Sequence, residues 1–210
     1  MPRLMDLGLE RLVNMLNDMA SLSRTAVEAA VEGFIKGTPN EDEVFQLSEK
    51  LRWLQDEVSD LAVELIARYQ PVATDLRFLR SCMEVAYGFS RFGRYAYDIS
   101  QVITTFGELH ECEKTEVLET AEVVKTMIEK SVKSFVEKNL ELAAELEKLD
   151  SIVDKAYKNH LQRSLSNPGS KKCDMATMLI LRYLERIADH ATYIGEAVAY
   201  ILEGQHRPRK

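Results

Sequence analysis

Apolar side chains along this chain recur at alternating intervals of three and four, the spacing that puts residues on one face of an α-helix. Leu9, Leu12, Leu16, Met19 and Leu22 form one such seam, which predicts a helix over Asp6 to Lys36 ended by Gly37-Thr38-Pro39. A second seam, running from Leu47 through Leu51, Leu54, Val58 and Leu61 to Leu65 and Ile66, predicts a helix from Asn40 to Tyr69. Asn40 followed by Glu43 has capping-box spacing, and Pro71 closes the segment because it has no amide hydrogen and restricts the residue before it. A third helix is expected from Thr74 to Phe106. It has Asp75 in its first turn, Val85, Phe89, Phe92, Ala96 and Ile99 in its seam, and Gly107 at its end.

The second half repeats this layout. Thr115 to Lys138 forms a helix, Asn139 breaks it, and a fifth helix runs to Leu165. Asn167-Pro168-Gly169 then precedes a sixth, which Ser170 is placed to cap. Its seam is Ile180, Leu184, Ile187, Ala191, Ile194, Val198 and Ile201. An offset of 95 residues lays Ser90-Arg91-Phe92-Gly93-Arg94-Tyr95-Ala96 over Glu185-Arg186-Ile187-Ala188-Asp189-His190-Ala191. No alternating β-branched run flanked by turn residues occurs. The expected fold is all-α, two tandem three-helix bundles formed by an internal duplication, with residues 1–108 as the first repeat and 109–210 as the second.

Composition narrows the function. With 46% hydrophobic and 29% charged residues in 210, the chain is a globular protein rather than a disordered one. A net charge of −7 argues against a nucleic-acid surface, and the basic cluster Arg207 to Lys210 is confined to the tail. Charged residues interrupt every apolar run before membrane-spanning length, and no signal region opens the chain. A cytoplasmic protein without membrane insertion is expected. Cys82, Cys112 and Cys173 are odd in number, far apart and without C-x-x-C spacing, which predicts reduced thiols, buried as small apolar groups.

The chemistry concentrates in carboxylates. Glu185 and Asp189 share one helix face at the edge of the sixth seam, and Asp150 and Asp154 repeat the four-residue spacing. Like charges so placed oppose each other, so a cation or a basic neighbour is expected beside them. Arg91 and Arg186 are expected to pair with neighbouring carboxylates, His190 to face an aromatic or amide partner, and Trp53 and Tyr69 to lie in the core or a groove. Phe34, Phe45 and Tyr200 are candidates for exposed apolar surface and for a two-fold homodimer. No histidine has a glutamate three residues before it, as a ferritin-like di-iron oxidase requires, and there is no His-Glu-x-x-His or phosphate-cradling glycine loop. The chain is therefore expected not to be an enzyme. A metal-dependent helical-bundle hydrolase and a metal-free adaptor are the alternatives.

Gln70-Pro71-Val72-Ala73-Thr74-Asp75-Leu76-Arg77 and Leu184-Glu185-Arg186-Ile187-Ala188-Asp189 resemble the two signature segments of the phosphate-uptake regulator (PhoU) family. The resemblance implies a cytoplasmic regulator that contacts the ATPase of a phosphate ABC transporter and a phosphate-sensing kinase. It also implies a multinuclear metal cluster held by carboxylates, here Glu129, Asp150, Asp154, Glu185 and Asp189. Iron, magnesium, manganese, calcium or zinc are the candidate ions, and an all-oxygen donor set suits the first four better than thiolate-rich zinc. The corresponding first-repeat positions are Arg24, Ser48, Arg52, Ser90 and Arg94, none of them a carboxylate. The first repeat is expected to be metal-free, with Arg24, Arg52 and Arg94 as a candidate anion pocket.

Overall fold

The described residues form six α-helices: α1 (Leu4–Lys36), α2 (Glu41–Tyr69), α3 (Ala73–Phe106), α4 (Thr115–Glu137), α5 (Leu140–Ser166) and α6 (Lys171–Glu203). The computed structural model describes residues 4–166 and 169–205, and among these there is no strand. The expected break at Asn167-Pro168, His206 and the basic tail 207–210 lie outside the described residues. Among the described residues no helix is long and apolar enough to cross a membrane.

The helices stop where the sequence signals them, though not always by the expected device. Gly107 ends α3 at φ 65°, a left-handed conformation that glycine adopts without a side-chain clash. Asn40 does not cap α2 with its side chain, because Nδ2 donates instead to the carbonyl of Ala29 at 2.6 Å and ties the α1–α2 turn to α1. Ser170 makes no side-chain cap on α6 either. Asn139 does cap: its Oδ1 accepts from the amides of Glu141 and Leu142 at 2.9 and 3.1 Å, so the break between α4 and α5 is also the start of α5.

α1, α2 and α3 pack on one another, as do α4, α5 and α6, and the two bundles join through α3 with α6 and α1 with α4. The expected seams are the core. Leu51, Val58, Phe89, Phe92, Ile99, Ile180, Leu184, Ile187 and Ile201 are fully or almost fully buried. Phe78 of α3 stacks on Phe135 of α4 at 5.3 Å, so this core runs across both repeats. Along the α3–α6 contact, Tyr95 meets His190 edge to face at 5.6 Å, and these two residues hold the same place in their repeats.

Packing corrects three expectations about single residues. Phe34 is fully buried rather than exposed, because the connector between α3 and α4 folds over it. Trp53 is 65% exposed and Tyr69 38%, so neither lies in the core. The cysteines are not all reduced: Cys112 and Cys173 form a disulfide with Cα atoms 5.2 Å apart, leaving Cys82 as a buried free thiol. The partners are 61 residues apart in sequence, and only the folding of the connector onto the first turn of α6 brings them together.

Candidate functional site

Asp150 and Asp154 stand one turn apart on α5, and Glu185 and Asp189 one turn apart on α6, and the packing of these helices turns the two pairs toward each other. Asp150, Asp154 and Asp189 line a groove of about 560 Å³ together with Glu147 and Thr192. Burial pushes the Asp150 carboxyl up to about 6, with Asp189 and Asp154 adding repulsion. Glu185 is raised by burial and then by Asp189, and Asp189 by burial, with Arg186 opposing and Asp154 reinforcing the shift.

Basic neighbours answer part of this charge. Lys158 Nζ donates to Asp154 Oδ2 at 2.7 Å, and Arg182 Nη1 donates to Glu185 Oε1 at 2.5 Å. Two oxygens remain: Asp150 Oδ1 and Glu185 Oε2 are buried without a hydrogen-bond partner. A buried oxygen in that state costs free energy that a cation would recover. Oxygen donors only, with two of them unsatisfied, fit a hard cation by composition. As the side chains stand, no group of three or more His, Cys, Asp or Glu among the described residues is arranged to hold an ion. The groove therefore concentrates carboxylates without forming a closed coordination shell.

The fifth expected ligand lies elsewhere. Glu129 Oε1 accepts from Arg24 Nη1 at 2.6 Å across the α1–α4 contact, and both side chains are about half exposed. Arg24 also pairs with Glu28 at 3.2 Å. Arg52 meets Glu49 at 3.2 Å and Asp56 at 3.7 Å, and Arg94 meets Asp98 at 2.9 Å. Each arginine of the candidate anion pocket thus has a carboxylate of its own. Arg91 departs from the expected ion pair: its Nη2 donates to the Tyr95 hydroxyl at 3.0 Å and its guanidinium covers the Tyr95 ring. His190 has the expected surroundings, with Tyr95 and Tyr193 against its ring and Nδ1 2.9 Å from the carbonyl of Arg186. Burial lowers its pKa.

Lys158 and Arg182 were not among the expected site residues, although each lies at helical spacing from its acidic partner. Nor was a cluster at the opposite end of the second bundle. There the ring of His160 bridges Glu116 Oε2 of α4 at 3.0 Å and the carbonyl of Asp174 in α6 at 3.1 Å, and Arg163 joins Glu116 at 2.5 Å. Nothing local in the sequence pairs residues 44 positions apart.

Fold and groove together define a duplicated helical-bundle protein with a carboxylate-lined face on its second repeat. The family profile described as the PhoU domain matches twice, over residues 16–103 and 117–198, and the chain belongs to the PhoU family. A phosphate-specific transport system accessory protein PhoU homolog of Clostridium acetobutylicum is 31% identical over 97% of this chain and 96% of its own. The crystal structure of PhoU from Pseudomonas aeruginosa superposes with a TM-score of 0.86 at 25% identity, covering 95% of this chain and 99% of that one. The phosphate transport system regulatory protein PhoU from Streptococcus pneumoniae has the same fold, with a TM-score of 0.87 at 18% identity over 98% and 100% of the two chains.

Proposed function

We propose that this protein is a cytoplasmic regulator of phosphate uptake that works by contact with a phosphate ABC transporter and a phosphate-sensing signalling protein rather than by catalysis. The match of both repeats to the PhoU domain carries this reading, supported by near-complete coverage of a relative named as a phosphate transport accessory protein. Phosphate uptake by host cells lacking the gene tests it. Restoration of normal uptake control by the wild-type chain is expected, and unaltered uptake in the deletion would refute the role.

The same reading assigns a cation to the second repeat, held by Asp150, Asp154, Glu185 and Asp189. Support comes from the two unsatisfied buried oxygens, Asp150 Oδ1 and Glu185 Oε2. A bound cation would neutralise the cluster, and the local chain contributes the donors and the Lys158 and Arg182 pairs that hold two of them in place. Added divalent or ferric ions should raise the melting temperature. Changing Glu185 and Asp189 together to Ala should abolish both that rise and bound metal by elemental analysis, while Arg94→Ala leaves them unchanged. A metal content unaffected by the double substitution would overturn the assignment. A two-fold dimer through the exposed Phe45 and Trp53 belongs to the same proposal, and light scattering showing a monomer at high concentration would exclude it.

A further inference from the structure

We infer that Cys112 and Cys173 form a reversible thiol–disulfide exchange site whose reactant is a dithiol, and that its state sets how firmly the connector between the repeats is tied to α6. The cation and phosphate readings contribute no observation to this site.

The connector, residues 107–114, is pinned on two sides. Toward the first repeat, Lys114 Nζ stands 3.8 Å from the centre of the Phe34 ring on α1 and donates to the carbonyl of Leu109, which is itself fully buried. His110 sits so close to the α1–α2 turn that a Cβ on Gly37 would lie 2.7 Å from its Nδ1. Toward the second repeat the hold is covalent, from Cys112 to Cys173 in the first turn of α6. The disulfide is thus the point where a segment packed on one bundle is bonded to the other.

Exposure orders the chemistry. Cys112 is 6% exposed, whereas Cys173 is only partly buried and follows the exposed Lys171 and Lys172. The amides of a helix's first turn and two ammonium groups favour approach of a thiolate at that sulfur. One thiolate of the dithiol attacks Cys173 Sγ. The S–S electron pair departs with Cys112 Sγ, which takes up a proton, and a mixed disulfide remains on Cys173. The second thiol of the reagent then attacks the reagent's own sulfur in that mixed disulfide and expels Cys173 as a thiolate, which is protonated in turn. Two electrons and two protons pass to the protein, and the dithiol leaves as a cyclic disulfide. Cys82 takes no part because it is fully buried and burial pushes its thiol far above the ordinary range. Once the bond opens, the connector keeps its contacts with α1 but loses its covalent hold on the first turn of α6, which is left with the His160 contact to the Asp174 carbonyl.

The test uses the full chain, dithiothreitol as the dithiol and oxidised dithiothreitol as its reverse. Maleimide labelling in denaturant should add one label before reduction and three after, in keeping with one disulfide and one free cysteine. In the folded protein reduction should add two labels, and the oxidised reagent should take them away. Reduction should lower the melting temperature by roughly 5–15 °C. It should also speed amide exchange about tenfold or more in 107–114 and 171–175, leaving the buried stretch 85–103 of α3 unchanged. Cys112→Ser and Cys173→Ser should each behave as the reduced protein and ignore dithiothreitol, whereas Cys82→Ser should respond as wild type. Three labels on the unreduced denatured chain, unchanged exchange in both segments on reduction, or loss of the response in Cys82→Ser would each overturn the proposal. If a serine variant does not fold, reduction of the wild type, with the same labelling and exchange readouts, decides between these outcomes.

Discussion

Arg24 and Glu129 hold equivalent places in the two repeats, and Nη1 of the one lies 2.6 Å from Oε1 of the other. The pair is about half exposed on each side, so water and salt screen it and its coupling should be small. A double-mutant cycle with Arg24→Ala and Glu129→Ala is expected to give about 0.5 kcal/mol by denaturant unfolding, shrinking as salt is added. With Glu129 engaged in this way, Glu129→Ala should leave any cation-induced rise in melting temperature intact, in contrast to Asp189→Ala.

Asp150 makes stability depend on pH with a definite sign. Its folded pKa of about 6 lies above the value near 3.8 that an unperturbed aspartate has. Between those values only the folded chain holds the proton, so stability falls as pH rises through that window and remains at the lower level above it. In the presence of a chelator, Asp150→Asn should raise unfolding free energy above pH 7 by on the order of 1–2 kcal/mol and flatten the profile of melting temperature on the acid side. An unchanged acid-side slope in the variant would refute this account.

Gly93 lets α2 and α3 approach. A Cβ there would lie 2.6 Å from Leu51 Cδ1, and the Ser48 Cα at 3.1 Å is backbone that can yield only by moving α2. Gly93→Ala is therefore expected to cost about 1–3 kcal/mol despite alanine's better helix propensity. At the equivalent place α6 has Ala188, fully buried. Ala188→Gly should also destabilise, by about 1 kcal/mol, through helix propensity and lost packing. Thermal melts of both variants check the contrast.

What was legible in the sequence was whatever lies within one helical turn. Seams such as Leu47 to Ile66 and stops such as Pro71 and Gly107 located six helices to within a residue or two of their bounds. The two pairs on α5 and α6 could be read because four-residue spacing is local, and it was the family resemblance, not the spacing, that assigned them to one site. Contacts between distant segments were not legible. The Cys112–Cys173 bond depends on where a connector lands, Phe34 is covered by that same connector, and Glu129 is engaged by an arginine 105 residues away. Asn40 has a capping residue's chemistry, but the nearby Ala29 carbonyl takes its side chain, and no spacing rule ranks those two acceptors.

The meeting of equivalent residues also determines what each bundle will accept as a companion. If a second copy of the first repeat took the place of the second, Arg24 would face another Arg24, and Tyr95 another Tyr95 instead of the His190 it now meets edge to face. If the second repeat paired with its own kind, Glu129 would face Glu129. Like charges at the contact disfavour both alternatives, while the sequence as written makes attractive pairs there, Arg24 with Glu129 and Lys125 with Glu28. The halves of this chain are thus keyed to each other, and exchange of bundles between neighbouring molecules is rewarded only when unlike halves come together.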